Sequence, residues 1–152
     1  MSRTFKGRAV LPGRTGGEAI VTRTGFNTLA SFAKALFARA LFGKARRAIC
    51  SDHGNPDLFG KSLTDKILCI PHATGSTGGG LVLETMIHAG LAPRALLLSG
   101  SLDTVTASGV VLSDVWSNKR LVTVDRLGDA FLEHAMTGQR IEIHEDGTVI
   151  VG

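Results

Sequence analysis

Apolar positions along the chain change rhythm several times. Two short runs with strand character, Phe5–Leu11 and Glu18–Arg23, flank Pro12-Gly13-Arg14-Thr15-Gly16-Gly17, and this arrangement predicts an N-terminal β-hairpin. From Phe26 to Ala48 the period lengthens. Leu29, Phe32, Leu36, Phe37, Ala40 and Leu41 recur at helical spacing, Asn27 or Thr28 stands at the capping position, and Gly43 stands where a helix would stop. An apolar run, Lys66–Ile70, ends at Pro71. After a glycine-rich stretch, Leu81, Val82, Leu83, Met86 and Ile87 take the spacing of a helix buried along one side. Ala95–Leu98 predicts another buried strand, Leu102–Val115 a helix, Leu121–Val124 a strand and Ala130–Thr137 a short helix. Gln139–Ile143 and Val149–Val151, joined at Glu145-Asp146-Gly147, predict a closing hairpin.

Strand, helix, strand, helix, strand in that order predicts a parallel sheet with crossover helices. With a hairpin at each end, the expected class is α/β: a swivelling β/β/α domain with a parallel βαβαβ core and terminal β-hairpins. A length of 152 residues fits one domain, 1–152, with an ordinary core.

Composition narrows the function classes. The net charge is +4, and the basic residues are scattered except at Lys44-Ala45-Arg46-Arg47 and Lys119-Arg120. With one Trp and no Tyr to interleave with them, a nucleic-acid surface is disfavoured; an acidic small molecule or partner explains the excess as well. No apolar run approaches the roughly 20 residues of a membrane span. The two cysteines, Cys50 and Cys69, form no CxxC, and no signal peptide is read at Met1–Phe5, so the expected compartment is the cytoplasm.

The candidate chemistry lies at Gly75-Ser76-Thr77-Gly78-Gly79-Gly80, where the strand gives way to the helix. The first amides of a helix lack intrahelical acceptors and sit at the positive end of its dipole, and glycines let an anion reach them. A hydroxyl held there can bind or move a proton, because the same dipoles stabilise an alkoxide. The plainer alternative is that Ser76 or Thr77 only caps the helix. Walker A and GxGxxG are both unmatched. His72 sits at the mouth of the loop, either tuning Ser76 or as a spectator. Arg14 is an anion contact only if its turn faces that loop. Cys50, Asp52 and His53 lie close in sequence but lack the four ligands of a self-contained zinc site, which leaves one group completing another chain's site as the alternative. The phenylalanine-rich Phe26–Ala48 helix reads first as core, next as a docking face for another chain, and third as a membrane-surface helix.

The stretch Gly60–Leu98, GKSLTDKILCIPHATGSTGGGLVLETMIHAGLAPRALLL, resembles the swivel domain of aconitase X, which many organisms make as a separate small subunit. The similarity continues through Gly109–Trp116 and Leu121–Val124 to the terminal hairpin. It implies an aconitase domain 4-like fold, with 26–48 as a helical insertion. It also implies a hydro-lyase, inactive alone, whose large subunit carries an iron–sulfur cluster while this chain binds none. Ser76 is then the general base, with Gly75, Thr77, Gly78, Thr74, His72 and Arg14 as candidate substrate contacts. Substrates implied by the family are cis-3-hydroxy-L-proline, dehydrated to pyrroline-2-carboxylate, and mevalonate 5-phosphate. Many members read GRGS at the loop, whereas this chain reads Ala73-Thr74-Gly75-Ser76; Thr74 supplies no bidentate anion contact, and Arg14 or Lys61 is the conjectured replacement. The competing readings are a non-catalytic anion-binding or interaction module and a serine hydrolase using His72 or His53. The latter lacks GxSxG.

Overall fold

A computed structural model describes residues 2–43 and 45–152, so Lys44 of the basic stretch lies outside the described residues. The central strands are β5 (Ile67–Ile70), β7 (Ala95–Leu98) and β8 (Val122–Asp125), every residue of which is buried. Strands covered on both faces read as continuous apolar runs, as ILCI and ALLL do here. They pair in parallel, in the order β5-β7-β8, with β3 (Thr15–Val21) alongside β5. The crossovers are α2 (Gly79–Ala89), between β5 and β7, and α3 (Thr104–Trp116), between β7 and β8.

Four other strands turn this sheet into a closed sandwich. Residues 15–18 of β3 pair antiparallel with β9 (Arg140–Ile143), and residues 19–21 pair in parallel with β5. At the far edge, β1 (Arg3–Lys6) pairs with β10 (Thr148–Val151) and β2 (Arg8–Leu11) with β8. Only Gly7 separates β1 from β2, so one bent strand serves both layers. A Cβ on Gly7 would lie 2.5 Å from the Asp125 carbonyl oxygen, so the bend requires glycine. The antiparallel strands alternate buried and exposed positions, as RIEI does in β9, which leaves one face to solvent.

The layers enclose two cores. Phe5, Cys69, Leu97, Val124, Phe131, Ile141 and Val149 fill the space between the sheets. Leu68, Ile70, Leu96 and Leu98 point to the other face, against Phe32 of α1 (Thr28–Phe42) and Leu83 and Met86 of α2. This is the β/β/α swivelling architecture expected from the sequence. The closing hairpin β9–β10 is also as expected. The N-terminal hairpin is not: β2 and β3 are neighbours in sequence but pair with β8 on one side and with β9 and β5 on the other. Pro12-Gly13 carries the chain from one edge of the parallel sheet to the other instead of folding it back. Helix α1 starts at the Asn27 cap, whose side chain accepts the Ala30 amide at 3.1 Å, and stops at Gly43 with φ 72°. No helix among the described residues is long and apolar enough to cross a membrane.

Candidate functional site

Ser76 lies in the loop that leaves the carboxyl end of β5, where open α/β sheets place their ligands. The loop is shaped by β6 (Ala73–Thr74), which pairs in parallel with β4 (Phe26–Asn27). Gly75 follows with φ 107°, and a Cβ there would lie 2.8 Å from the Asn27 Oδ1. Only glycine fits, on both counts. The next βα loop is fastened to the first: the amides of Ser99 and Gly100 donate to the carbonyls of Ile70 and Pro71 at 3.1 and 3.0 Å.

A shallow cavity results, open to solvent and lined by residues from the starts of three helices. Thr28 is the first residue of α1, Ser76 and Gly79 lead into α2, and Asp103 and Thr106 begin α3. Two of these termini are closed by their own side chains. Asn27 caps α1, and Asp103 caps α3 through the Thr106 amide at 2.9 Å. Helix α2 has Gly78 at its cap position and no side-chain cap hydrogen bond; its Gly79 amide donates to the Ser76 carbonyl at 3.1 Å, so backbone rather than a side chain closes part of its positive end beside the cavity. The Ser76 side chain therefore does not cap α2. Its residue is exposed, and among the described residues its hydroxyl has no hydrogen-bond partner within the chain.

The sequence-derived candidates divide around this cavity. Thr74, Gly75 and Ser76 line it, and Thr77 and Gly78 are exposed on the turn beside it. His72 is exposed and does not line the cavity; its ring lies against Gly25, where an added Cβ would meet the Nε2 at 2.9 Å. Arg14 is at the opposite end of the sheet, before β3, with its guanidinium on Glu145 at 3.1 Å and Glu142 at 3.6 Å. Lys61 lines a surface hollow with Glu18 and Lys66 at that same far end. Neither cation replaces a loop arginine, because parallel pairing puts their loops at the amino ends of β3 and β5. Among the described residues, no Lys, Arg or His lines the Ser76 cavity.

The cysteines do not fit a cluster on this chain. Cys50 is buried in the helix-side core and Cys69 in the inter-sheet core, and burial pushes the Cys69 thiol far above its ordinary range. Among the described residues no group of three His, Cys, Asp or Glu side chains is placed to hold a metal ion. His53 is exposed and stacks on Phe59 with ring centroids 4.3 Å apart. Sequence reasoning missed Asp103 and Thr28. The first had a signal: an aspartate at a helix start, directly after a strand–turn in the adjacent βα unit. Thr28 had none, since its arrival depends on the β4–β6 pairing of segments 47 residues apart.

A closed β/β/α sandwich with a helix terminus that no side chain caps and a free serine at its parallel-sheet end defines a swivelling-domain class. The family model of the aconitase X swivel domain matches residues 4–151, and the chain belongs to that family. It is similar to the phosphomevalonate dehydratase small subunit of Thermococcus kodakarensis, 30% identical over 73% of this chain and 74% of that protein. Over 48% of this chain it is 37% identical to the cis-3-hydroxy-L-proline dehydratase of Hypocrea jecorina, of which it spans 12%. The crystal structure of Thermococcus kodakaraensis aconitase X in its holo form superposes with a TM-score of 0.79 at 26% identity, covering 99% of this chain and 98% of that one.

Proposed function

We propose that the chain is the small subunit of an aconitase X-type hydro-lyase acting on a small hydroxy acid, with Ser76 as general base. The observation that carries this is the exposed, unpartnered Ser76 hydroxyl beside the terminus of α2 that no side chain caps. The terminus favours negative charge, so it eases loss of the hydroxyl proton and also holds a substrate carboxylate. The Ser76 alkoxide then removes the proton on the carbon next to that carboxylate, while the hydroxyl leaves from the adjacent carbon. Gly75, Thr77 and Gly78 supply backbone amides and Thr74 a hydroxyl at the same turn, with His72 two residues before Thr74 as a further candidate contact.

The iron–sulfur cluster belongs to the large subunit in this reading, since the cysteines here are buried in separate cores. That partner covers the cavity and part of α1. Leu29, Phe37 and Leu41 share the outer face of α1 and are exposed, Phe37 to 68%, and the face begins one residue after Thr28 at the cavity. Among the described residues the cavity lining carries no cationic side chain, which favours an unphosphorylated substrate such as cis-3-hydroxy-L-proline over mevalonate 5-phosphate.

Co-expression with the large subunit tests the reading. The complex should dehydrate a hydroxy acid, and Ser76→Ala should lower kcat by about 10³-fold or more with the complex intact. Near-normal turnover in that variant would remove Ser76 from the role. Saturable carboxylate binding with no turnover in any complex would point instead to an anion-binding module.

A further inference from the structure

The positive charge of this protein is concentrated in one place. Residues 28–51 carry five Lys and Arg and no Asp or Glu, which exceeds the whole net charge of +4, so the rest of the chain is net negative. Several cations elsewhere are answered: Lys6, Arg8, Arg14, Lys66, Arg94 and Arg120 each hold a carboxylate. Among the described residues, Lys34, Arg39, Arg46 and Arg47 hold none. A cation in the last turn suits the negative end of a helix, and that accounts for Arg39. It does not account for Lys34 in the middle of α1, or for Arg46 and Arg47 beyond its end, all three of them exposed.

These cations border the apolar strip of the same helix. Lys34 stands three residues before Phe37, a neighbour on the helix surface, and Arg46 and Arg47 follow the exposed Phe42 within five residues. The strip starts at Leu29, one residue after Thr28 at the cavity, and at the helical rise Leu41 lies about 18 Å further along. Unanswered charges of one sign repel each other and favour a surface of the opposite sign. Exposed Phe and Leu beside them fit a protein face better than a nucleic-acid backbone. A body that covers the cavity reaches them by continuing along α1, which favours a protein over a lipid surface. We infer that the outer face of α1 and the loop after it form a cationic landing surface for an acidic face of the large subunit, and that this charge sets how fast the two subunits meet. The inference deepens the reading above and rests on it only for a large subunit that covers the cavity. Charge acts across about 10 Å at 0.1 M salt, so it orients the partners before Phe37 and Leu41 touch anything. The apolar strip, once seated, governs how long they stay together.

The test is stopped-flow association of the two purified subunits at about 20 mM and about 500 mM salt. The wild-type on-rate should fall by about 30-fold or more between the two, as steered encounters do. The triple variant Lys34→Glu, Arg46→Glu, Arg47→Glu should associate about 30-fold more slowly than wild type at low salt, match it at high salt and dissociate at nearly the same rate. The triple Gln variant should fall between the two, and thermal midpoints of the isolated chains check that each variant is folded. A wild-type on-rate indifferent to salt, a Glu variant as fast as wild type at low salt, or an effect confined to the off-rate would overturn the inference. So would subunits that assemble alike in all variants while phosphatidylserine vesicles or duplex DNA bind the wild-type complex and not the Glu variant. The two readings fail separately, because association is measured without substrate. Steered assembly of a complex without lyase activity leaves this inference standing and removes the dehydratase. Ser76-dependent turnover in a complex that assembles at a salt-independent rate does the reverse.

Discussion

Gly80 and Gly109 touch backbone to backbone where α2 crosses α3: a Cβ on Gly109 would lie 2.5 Å from the Gly80 carbonyl oxygen. That contact brings the helices close together just beyond their amino ends, where Gly79, Asp103 and Val105 line the cavity. Gly109→Ala should therefore force the helices apart, costing about 1–3 kcal/mol of stability and lowering activity of the complex. Gly79→Ala is the contrast. A Cβ there meets Thr28 and Val105 only at ordinary van der Waals distances, 3.6 to 3.9 Å, and alanine favours the helix. Its denaturation midpoint should hold or rise while substrate affinity falls, since the methyl group enters the cavity. Parallel denaturant titrations and KM measurements separate the two effects.

The loop should be as intolerant at Gly75 for a different reason. Its φ of 107° and the nearby Asn27 side chain both oppose any Cβ. In Gly75→Ala, Asn27 must give way and α1 loses its cap, worth about 1 kcal/mol, on top of the backbone strain. Amide exchange should quicken in the first turn of α1 as well as in the loop. Protection of α1 equal to the wild type would show that the Asn27–Gly75 packing does not couple the two.

Much of this arrangement was legible in the sequence, and the parts that were not share a cause. ILCI, ALLL and the helical spacing after Gly80 each report their own element, because buried parallel strands and one-sided helices bury apolar groups locally. The Pro12–Gly17 turn signal was equally local and misled: it shows that the chain turns, not which strand the next run will pair with. β3 joins β9 and β5 because its two halves serve different layers, a choice made by residues more than 40 positions away. Arg14 fails as a site residue for that reason. Ser76 stands out as a candidate because its signal, glycines and hydroxyls between strand and helix, lies within one stretch. Asp103 and Thr28 reach the same cavity from other stretches and become visible only when three helix starts converge.

Acid should weaken the fold through Asp125. Burial by itself would raise this carboxyl, but hydrogen bonds from the Arg8 guanidinium and the Leu102 amide, with the charges of Arg8 and Arg126, outweigh it and hold it below the ordinary carboxylate range. A carboxyl whose folded-state pKa is lowered binds fewer protons folded than unfolded. Its stabilisation is complete above the unfolded value of about 3.9 and is lost as pH falls through the lower folded value. Asp125→Asn should cost about 2 kcal/mol at pH 7, the size of a charge-assisted hydrogen bond, and the gap to wild type should start to narrow as pH falls below the unfolded value of about 3.9 and close below the lowered folded value. Urea titrations at several pH values read both. A gap that persisted at low pH would mean that packing, not charge, carries the effect.

The outer face of α1 makes a prediction about assembly. Leu29, Phe37 and Leu41 lie on one side of the helix, with Phe42 at its end, and the last three are exposed to 68, 69 and 76%. The buried side of the same helix, Thr28, Ser31, Phe32 and Ala35, already anchors it, so the outer side contributes little to folding of the chain alone. Phe37→Lys with Leu41→Glu should leave the isolated chain's thermal midpoint within about 2 °C of wild type, as exposed substitutions usually do. If the large subunit covers this face, the same pair should weaken association by about 100-fold or more, since exposed aromatics at an interface are where binding energy concentrates. Ser76 and its loop remain untouched, so saturating large subunit should restore kcat. An association constant equal to that of the wild type, measured with both proteins purified, would free α1 of the docking role and leave the partner to approach the cavity from another side.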